Sequence, residues 1–443
     1  MQFSRIATRL ALAAAIALAA PVVELSSEQT PSITVPGIDK PVIVVTGEIT
    51  GSETWAAANY YVLRGAVFVR HGGTLNIGPG TWIIGESGSV GTLIVERGGR
   101  LNAVGTREAP IVFTSDQAPG TRARGDWGGL IINGRAPVNL EGGEGAGEGD
   151  TGVYGGTDPN DNSGILRYVR VEFAGVEFSP DNELNGIAFQ GVGRGTTVDY
   201  VQVHMNRDDA FEWFGGTADA KHIVASNAAD DSIDWTFGWS GRAQFVIVRQ
   251  RGDDADNGIE ADNNEFNNNA LPRSNPQFYN ITMCGDPAGL ASEVQRAANL
   301  RRGTALTIRN FLITGFRAGV QIETSNAATT GQVDNGTSQI GGGVSWNNLT
   351  PAAAMHSSVM TYINNGRFPN VHLNQDAGLS TADCANHENP KFQPTSLATL
   401  AGGQLAPIQP PLDGFFEAVT FIGAVPPAPA DDWTRGWTRF PNN

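Results

Sequence analysis

The chain has 443 residues with 56 Gly and 24 Pro, and its 45 acidic against 29 basic side chains give a formal net charge of -16. This much glycine without a Gly-X-Y period excludes collagen and indicates many turns. The acidic balance excludes nucleic acid and anionic lipid as main partners, because both require basic surfaces, and it suits a protein that is soluble outside the cell or takes up divalent cations.

The first 19 residues have the pattern of a secretory signal peptide. Arg5 and Arg9 precede the apolar run LALAAAIALAA, and residues 17–19 read Ala-Leu-Ala, which is typical of a cleavage site. After residue 20 no run approaches 18 apolar residues, so no membrane-spanning helix is predicted. We therefore predict a secreted protein, periplasmic or extracellular.

Short apolar alternations recur along the rest of the chain, with the period of two that is typical of β-strands. They fall into two families that advance together by 22 to 26 residues, with some longer insertions. The first family comprises segments 166–175, 198–206, 220–228, 243–251, 277–285 and 308–316, and aligns Tyr168, Tyr200, His222, Phe245, Tyr279 and Asn310 in one column. The second comprises NGIAF at 185–189, DAFEW at 209–213, DSIDW at 231–235, NGIEA at 257–261 and AGVQI at 318–322.

Two strand families without intervening helices predict an all-β fold, a single-stranded right-handed parallel β-helix with inserted loops. A β-sandwich is the alternative, but its hairpins would not keep the same columns over so many repeats. We assign residues 20–348 to the β-helix and residues 349–443 to a C-terminal capping region that closes the last coil. Segment 286–300 has Asp286 as a helix N-cap followed by Pro287, and predicts a short inserted helix.

Five segments together carry a resemblance that covers almost the whole mature chain: GDWGGLIINGRAP (125–137), GGTDPNDNSGILRYVRVEFAG (155–175), ELNGIAFQGVGRGTTVDYVQVH (183–204), DDAFEWFGGT (208–217) and the terminal FIGAV and DWTRGWT. They resemble a family of secreted bacterial right-handed parallel β-helix proteins, some of which are labelled lipoproteins or transporters. The resemblance implies the fold and secretion but no activity or catalytic residues. This sequence lacks the lipobox cysteine of some members, so we expect release rather than tethering. Pectate-lyase-like enzymes share the superfold, an analogy of fold alone.

Carboxylates recur at one position of the second strand family. Glu212, Asp234 and Glu260 each follow an inward apolar residue and are predicted to point outward on consecutive coils, about 4.8 Å apart. Two full charges at that distance repel by about 3.5 kcal/mol at an effective dielectric of 20. The three side chains must therefore splay into water, share protons, pair with a base or bind a cation. If the protein is an enzyme, they are the candidate catalytic residues, one as acid and another as base on a glycosidic bond.

Further acids surround these three residues and predict calcium as a cofactor, since calcium takes six to eight oxygen ligands. The alternative is a purely structural ladder, because Asp and Asn at the start of such strands usually bond neighbouring backbone groups. The candidate ligands are Asp208, Asp209, Asp230, Asp231, Asp253, Asp254 and Asp256.

Three residues are candidates for binding a substrate. Trp239 lies in a Gly-rich turn, where its ring could stack on a sugar. Lys221 and Arg249 lie on the neighbouring strand family, and the alternative for both is an ordinary solvated surface position.

The two cysteines, Cys284 and Cys384, predict a disulfide if the protein is secreted. The alternative is a metal site that uses Cys384, His387 and Glu388, although no second ligand pair accompanies this run.

Together these patterns predict a secreted, monomeric β-helix that binds an extended polymer, a polysaccharide or cell-surface glycan, with calcium-dependent stability. The first alternative is a polysaccharide lyase or glycoside hydrolase that uses the stacked carboxylates. The second is a structural envelope or matrix protein, in which the carboxylate rows only hold the coils together.

Overall fold

The computed structural model describes residues 40–179, 182–287, 295–348, 355–375, 377–397, 399–400 and 403–443. The predicted signal peptide lies outside the described residues. The α-helices are α1 (Ala327–Asp334), α2 (Ser357–Asn364) and α3 (Thr381–Cys384), and the strands are β1 (Val42–Ile49), β2 (Ser52–Trp55), β3 (Tyr60–Val69), β4 (Thr74–Ile77), β5 (Trp82–Gly85), β6 (Thr92–Val95), β7 (Arg100–Val104), β8 (Ile111–Ser115), β9 (Gly129–Asn133), β10 (Glu144–Ala146), β11 (Val153–Gly155), β12 (Gly164–Glu172), β13 (Glu177–Ser179), β14 (Asn182–Glu183), β15 (Ile187–Gln190), β16 (Thr197–His204), β17 (Phe211–Phe214), β18 (Asp219–Ser226), β19 (Ile233–Thr236), β20 (Arg242–Arg249), β21 (Ile259–Ala261), β22 (Gln277–Cys284), β23 (Arg296–Leu300), β24 (Thr307–Thr314), β25 (Ala318–Ile322), β26 (Gln339–Gly341), β27 (Gly343–Trp346), β28 (Val371–Leu373), β29 (Thr399–Leu400) and β30 (Gly403–Gln404).

Of these strands, 24 form one continuous parallel array that winds as a right-handed β-helix, which confirms the predicted fold class. Each coil adds to three sheets. Sheet A contains the N-terminal halves of β1 and β3, then β5, β8, the C-terminal halves of β12, β16, β18, β20, β22 and β24, and then β27 and β28. Sheet B contains the C-terminal halves of β1 and β3, then β6, β9, β15, β17, β19, β21, β23 and β25. Sheet C contains β2, β4, β7, the N-terminal halves of the same long strands, and β26.

Each long strand turns from sheet C into sheet A at a single residue with left-handed backbone. That conformation is uncommon outside glycine, yet it recurs here on six coils. The aromatic members of this corner column stack, with ring centroids 4.4 Å apart for Tyr168 and Tyr200 and 4.2 Å apart for Tyr200 and His222. The corner residues are Tyr168, Tyr200, His222, Phe245, Asn280 and Asn310. The predicted column is therefore wrong at Tyr279, because the corner of that coil falls one residue later.

The interior is filled by the inward residues of all three sheets. Ile187, Phe211, Ile233 and Ile259 are fully buried in register, as the alternation predicts. Large rings fill the corner where these strands end, and Trp213 stacks on Trp239 at 4.4 Å. Burial of such side chains is the main favourable contribution to the stability of the coil stack.

One strand of sheet B was not predicted. Residues Arg296–Leu300, expected at the end of an inserted helix, form β23 between β21 and β25. Ala298 and Leu300 are fully buried, so burying these two side chains in the core column outweighs the local helix propensity. The middle of the predicted helix, 288–294, lies outside the described residues.

The C-terminal region has two different roles. Helix α2 packs against β25, and Met355, Val359 and Phe368 join the main core, so this part covers the last coils. The flanking segment, residues 405–441, instead runs along the outer face of sheet A. The physical reason is that the outer face is apolar, with Val224 and Leu312 buried beneath it.

Polar side chains on successive coils hold the flanking segment by its backbone carbonyl groups. Arg170 donates to the carbonyl of Trp437 at 2.9 Å, and Gln202 to that of Arg439 at 2.7 Å. Further along, the bonds are Gln244 to Glu417 at 2.9 Å, Asn280 to Gly423 at 3.1 Å and Asn310 to Ile408 at 2.8 Å. The segment therefore ties together coils that otherwise contact only their neighbours.

Cys284 and Cys384 form a disulfide that links β22 to α3, with their Cα atoms 5.8 Å apart. The prediction of a disulfide is confirmed, and a disulfide fits an oxidising compartment. The alternative metal site at Cys384 is wrong, because the sulfur is bonded and His387 Nε2 lies 2.7 Å from Asp286 Oδ2. In the described part of the chain, no helix has the length and apolar character that crossing a membrane requires.

His204 anchors the end of the flanking segment and makes stability depend on pH. Its ring nitrogens lie 2.9 Å from Ser226 Oγ and 2.7 Å from the Pro441 carbonyl, and burial lowers its pKa from 6.5 to about 4. Between pH 6.5 and 4 only the unfolded state takes up a proton on this ring. The neutral His204 ring therefore stabilises the folded state fully above pH 6.5, and this stabilisation is lost as pH falls to 4. Between pH 7 and 4, we expect the free energy of unfolding of wild type to fall by about 3 kcal/mol more than that of His204→Gln, measured in urea. Identical pH profiles for the two proteins would contradict this.

Candidate functional site

The predicted carboxylate row exists on the outer face of sheet B. Ala188, Glu212, Asp234 and Glu260 are direct partners on four consecutive coils, and the row continues with Asn299 and Gln321. We call Glu212, Asp234 and Glu260 the acidic ladder. Strand alternation puts their neighbours in the core, so the ladder is held by a rigid sheet rather than by loops.

A second acidic row lies where these strands begin. The backbone N–H of Asp231 donates to Asp209 Oδ1 at 2.9 Å, and that of Asn257 donates to Asp231 Oδ1. These two aspartates therefore connect successive coils, as the structural alternative expects. The amides at the ends of this row reach the acidic ladder: Asn185 Nδ2 donates to Glu212 at 2.6 Å, and Asn257 Nδ2 to Glu260 at 3.3 Å.

The two rows bring carboxylates from three coils into close groups. In each group, one oxygen from every member lies within 4.8 Å of the others. Asp209, Asp230, Asp231 and Asp234 each belong to two of the groups, so the four groups form one connected cluster. The groups among the described residues are Asp208, Asp209 and Asp230; Asp209, Glu212 and Asp234; Asp230, Asp231 and Asp256; and Asp231, Asp234 and Glu260.

Burial makes ionisation of this cluster costly. It raises the pKa of Glu212 and of Asp234 well above the usual range, and neighbouring carboxylates raise both further. For the same two reasons the pKa of Asp208 rises to about 8. Burial raises that of Glu260 to about 7 although Arg301 opposes the shift. The cluster therefore has to hold protons at neutral pH or receive positive charge from elsewhere.

Among the described residues, Arg301 supplies positive charge at one end of the cluster. Arg301 forms ion pairs with Glu260 and, at 2.9 Å, with Asp262. Asp234 Oδ1 is buried and accepts no hydrogen bond from any described residue. The same holds, within the described ranges, for the side-chain oxygens Asn185 Oδ1, Asp256 Oδ1 and Asn257 Oδ1.

Buried oxygens without donors are rare in folded proteins and require an explanation. Here they lie among clustered carboxylates, and carboxylate and amide oxygens are the ligands that calcium prefers. The clustered carboxylates and the four oxygens without donors therefore fit a divalent cation in ligand type.

An aromatic row runs beside the acidic ladder. Phe214 lies two residues beyond Glu212 on the same outer face, and Phe237 follows β19 on the next coil. Phe266 stacks on Phe237 with centroids 6.3 Å apart and planes 8° apart, yet 77% of it is exposed. Towards the N-terminal coils, the loop containing Leu140 and Tyr154 covers the apolar part of the same face.

Two predicted metal ligands do not join the cluster. Asp253 lies 3.3 Å from Arg124 and 3.0 Å from Arg251, and Asp254 also pairs with Arg124. These arginines already neutralise them on a neighbouring turn. The other five predicted aspartates do belong to the close groups.

The structure places the three predicted substrate-binding residues against other parts of the chain. Trp239 is fully buried, and its Nε1 donates to the Ala218 carbonyl. Arg249 is fully buried and bonds Asn227 and the Ala385 carbonyl. Lys221 donates to the Phe415 carbonyl at 2.7 Å and pairs with Glu417 at 2.9 Å, so the flanking segment already satisfies its ammonium group.

The repeat pattern in the sequence did not indicate three residues of the site. Glu148 belongs to the acidic loop outside the repeat, and its pKa rises to about 8 through burial and then through Asp208. Arg301 follows β23, so recognising that strand would have aligned it beside Asp262. No repeat signal marks Phe266, since it lies in an insertion.

Comparison with known families gives one match. The model of the pectate-lyase like beta helix domain matches residues 47–398, which is most of the chain. No curated protein and no solved structure shows significant similarity. A domain of this class points to a polysaccharide-related function and a polysaccharide partner.

Proposed function

Because the chain belongs to the family of pectate-lyase-like β-helix domains, we propose that it is a secreted protein that binds an extended polysaccharide along the outer face of sheet B, with calcium held by the acidic ladder. The observation that carries the proposal is the Asp234 carboxylate, which lies between Glu212 and Glu260 and has one buried oxygen, Oδ1, that no described residue satisfies.

The ligands for calcium would come from both rows. Glu212, Asp234 and Glu260 would supply carboxylate oxygens, and Asn185 and Asn257 would supply side-chain carbonyl oxygens. Bound calcium would neutralise the stacked charges and offer coordination positions to sugar hydroxyl or carboxylate oxygens.

Other residues on this face suit a sugar chain. Phe266 presents an exposed ring supported from behind by Phe237, which is the geometry on which a sugar can stack. Asn299 and Gln321 extend the outer row over two further coils with amide groups that donate and accept hydrogen bonds. The face therefore offers several contacts in a line, as an extended polymer requires.

A cleaving enzyme is the second candidate, and one observation favours it. The pKa of Glu260 is raised to about 7 by burial against the opposing effect of Arg301, which suits a general acid near neutral pH. Carboxylate oxygens of Glu212 and Asp234 lie within 4.8 Å, close to the roughly 5 Å separation of retaining glycosidases. In this reading Glu212, Asp234 and Glu260 carry the chemistry.

The test is incubation of the mature protein with insoluble acidic and neutral polysaccharides, with calcium or with EDTA. We expect retention on at least one polymer in calcium, release in EDTA, and no new reducing ends or unsaturated uronates. New ends that vanish in Glu212→Gln would establish the enzyme instead. No retention on any polymer, with calcium still stabilising the fold, would leave a structural role.

Phe266 provides a sharper prediction on the polymer that is retained. We expect Phe266→Ala to weaken binding about three- to tenfold, because one stacking contact contributes roughly 1 kcal/mol. Leu412→Ala is the matched control, since Leu412 is 78% exposed on the flanking segment. Equal affinities of both variants and wild type, measured by depletion from solution, would remove Phe266 from the binding face.

A further inference from the structure

A second candidate binding site lies on a different face of the β-helix. Where the flanking segment ends, the outer face of sheet A continues towards the N-terminal coils as a groove of about 1300 Å³. Its floor includes Trp82 and Val112, which are direct strand partners, and its walls come from turn 108–110 and from the C-terminal stretches 388–395 and 428–441. Its volume exceeds the usual 300–1000 Å³ of small-molecule pockets, which suits a chain more than a single small molecule.

The charge of this groove differs from that of the whole protein. It is lined by five basic side chains, Arg122, Arg170, Lys391, Arg435 and Arg439, and by four acidic ones, Glu108, Glu172, Glu388 and Asp432. The whole chain has 29 basic against 45 acidic groups, so the groove is basic relative to its surroundings. An anionic ligand would be attracted to this part of the surface rather than to the acidic ladder.

Internal bonds occupy two of the four acids. Glu172 is buried, pairs with Arg170 at 2.8 Å and accepts from Thr114 Oγ1 at 3.2 Å. Asp432 accepts from the Thr434 hydroxyl at 2.6 Å and pairs with Arg435 at 3.3 Å. These pairs support the walls of the groove, and they neutralise Arg170 and Arg435 together with the two acids. Lys391 also pairs with Asp383, at 3.0 Å, so Arg122 and Arg439 are the basic lining residues outside these ion pairs.

Arg439 and Trp82 remain available to a ligand. The exposed guanidinium of Arg439 makes no hydrogen bond or ion pair with the described residues, although its backbone is fixed by two bonds to Gln202. Trp82 is partly exposed, with Tyr60 against its ring edge at 6.5 Å. A planar fork of donors suits a carboxylate or sulfate, and an aromatic ring suits the apolar face of a sugar.

From this combination we infer that the groove binds an oligosaccharide bearing carboxylate or sulfate groups, without a metal ion. The site lies on sheet A, so the inference goes beyond the proposed function and does not need the acidic ladder. With both sites filled, one molecule would hold two sugar segments, and linked sites bind a polymer more tightly than either alone.

The test uses fluorescein-labelled hexasaccharides in EDTA, which removes any calcium-dependent contribution of sheet B. The probes are hexagalacturonate, a sulfated hexasaccharide and neutral maltohexaose, followed by fluorescence polarisation. We expect at least one acidic probe to bind and maltohexaose not to bind. We expect Arg439→Ala and Trp82→Ala to raise Kd at least fivefold. Arg100→Ala, which changes an exposed arginine on sheet C, is expected to leave it within twofold.

Three results would overturn the inference: no acidic probe binds in EDTA, maltohexaose binds equally well, or Arg439→Ala has no effect. Arg439 is exposed, so its variant remains informative even if Trp82→Ala fails to fold. Binding that survives EDTA but is lost in Arg439→Ala would support the groove even if calcium-dependent retention by the acidic ladder failed.

Discussion

Calcium is expected to raise the melting temperature of the wild-type protein at pH 8 by about 5 °C at a concentration of roughly 100 Kd, and to leave that of the Asp234→Asn variant unchanged. The physical reason is that Asp234 belongs to both carboxylate groups that contain Glu212 or Glu260, so neutralising this one side chain weakens both. Glu141→Gln is the control, since Glu141 is exposed and belongs to none of the carboxylate groups. Equal calcium shifts in all three proteins would contradict a site at the ladder.

Without calcium, the stability of the folded protein is expected to fall as pH rises, and the stabilisation by calcium is expected to grow. Burial raises the pKa of Asp256 to about 6, of Glu260 to about 7 and of Asp208 to about 8. A carboxyl with a raised pKa favours the folded state only while the folded protein keeps its proton, so this contribution is lost as pH rises through 6 to 8. In EDTA the wild-type protein should therefore lose stability from pH 5 to 8, and Asp234→Asn should lose less. The calcium effect should be small at pH 5 and largest at pH 8.

Removing the disulfide is expected to have the largest effect on stability. Cys284 and Cys384 are separated by 100 residues, and a link closing so long a loop contributes about 4–5 kcal/mol in the chain-entropy model. The measurement is urea unfolding of the Cys284→Ala/Cys384→Ala variant beside wild type with and without reductant. We expect the variant and the reduced wild type to unfold at similar, lower urea concentrations, and the variant not to respond to reductant. A variant that unfolds at the same urea concentration as the oxidised wild type would refute this prediction.

The disulfide also holds one wall of the sheet A groove. Cys384 ends α3, shortly before the stretch 388–395 that lines the groove. We therefore expect the double cysteine variant to weaken acidic hexasaccharide binding even at temperatures where it stays folded.

Much of the fold could be predicted because a parallel β-helix repeats its side-chain pattern on every coil. The inward and outward positions of Phe211, Glu212 and Asp234 follow from strand alternation alone, and the structure has the same register. Errors arose where insertions changed the spacing, as at Asn280, or where local helix propensity concealed a buried strand, as at β23.

The site was harder to predict, because the repeat pattern does not show what covers each face. The strand pattern predicts that Lys221 points outward. Its ammonium group donates to the Phe415 carbonyl of the flanking segment, which lies 194 residues later in the chain. Asp253 and Asp254 look like members of the acidic cluster until Arg124 is brought beside them from another coil. Phe266 and Arg439 belong to non-repeating segments, where no column relates one residue to another.

The most direct measurement is isothermal titration of calcium into the protein at pH 7 in buffers of different ionisation enthalpy. If the buried ladder holds protons that calcium displaces, wild type should bind with release of at least one proton, and Asp234→Asn should neither bind comparably nor release protons. Absence of calcium binding at millimolar concentration, or equal binding by Asp234→Asn, would contradict a cation site at the acidic ladder.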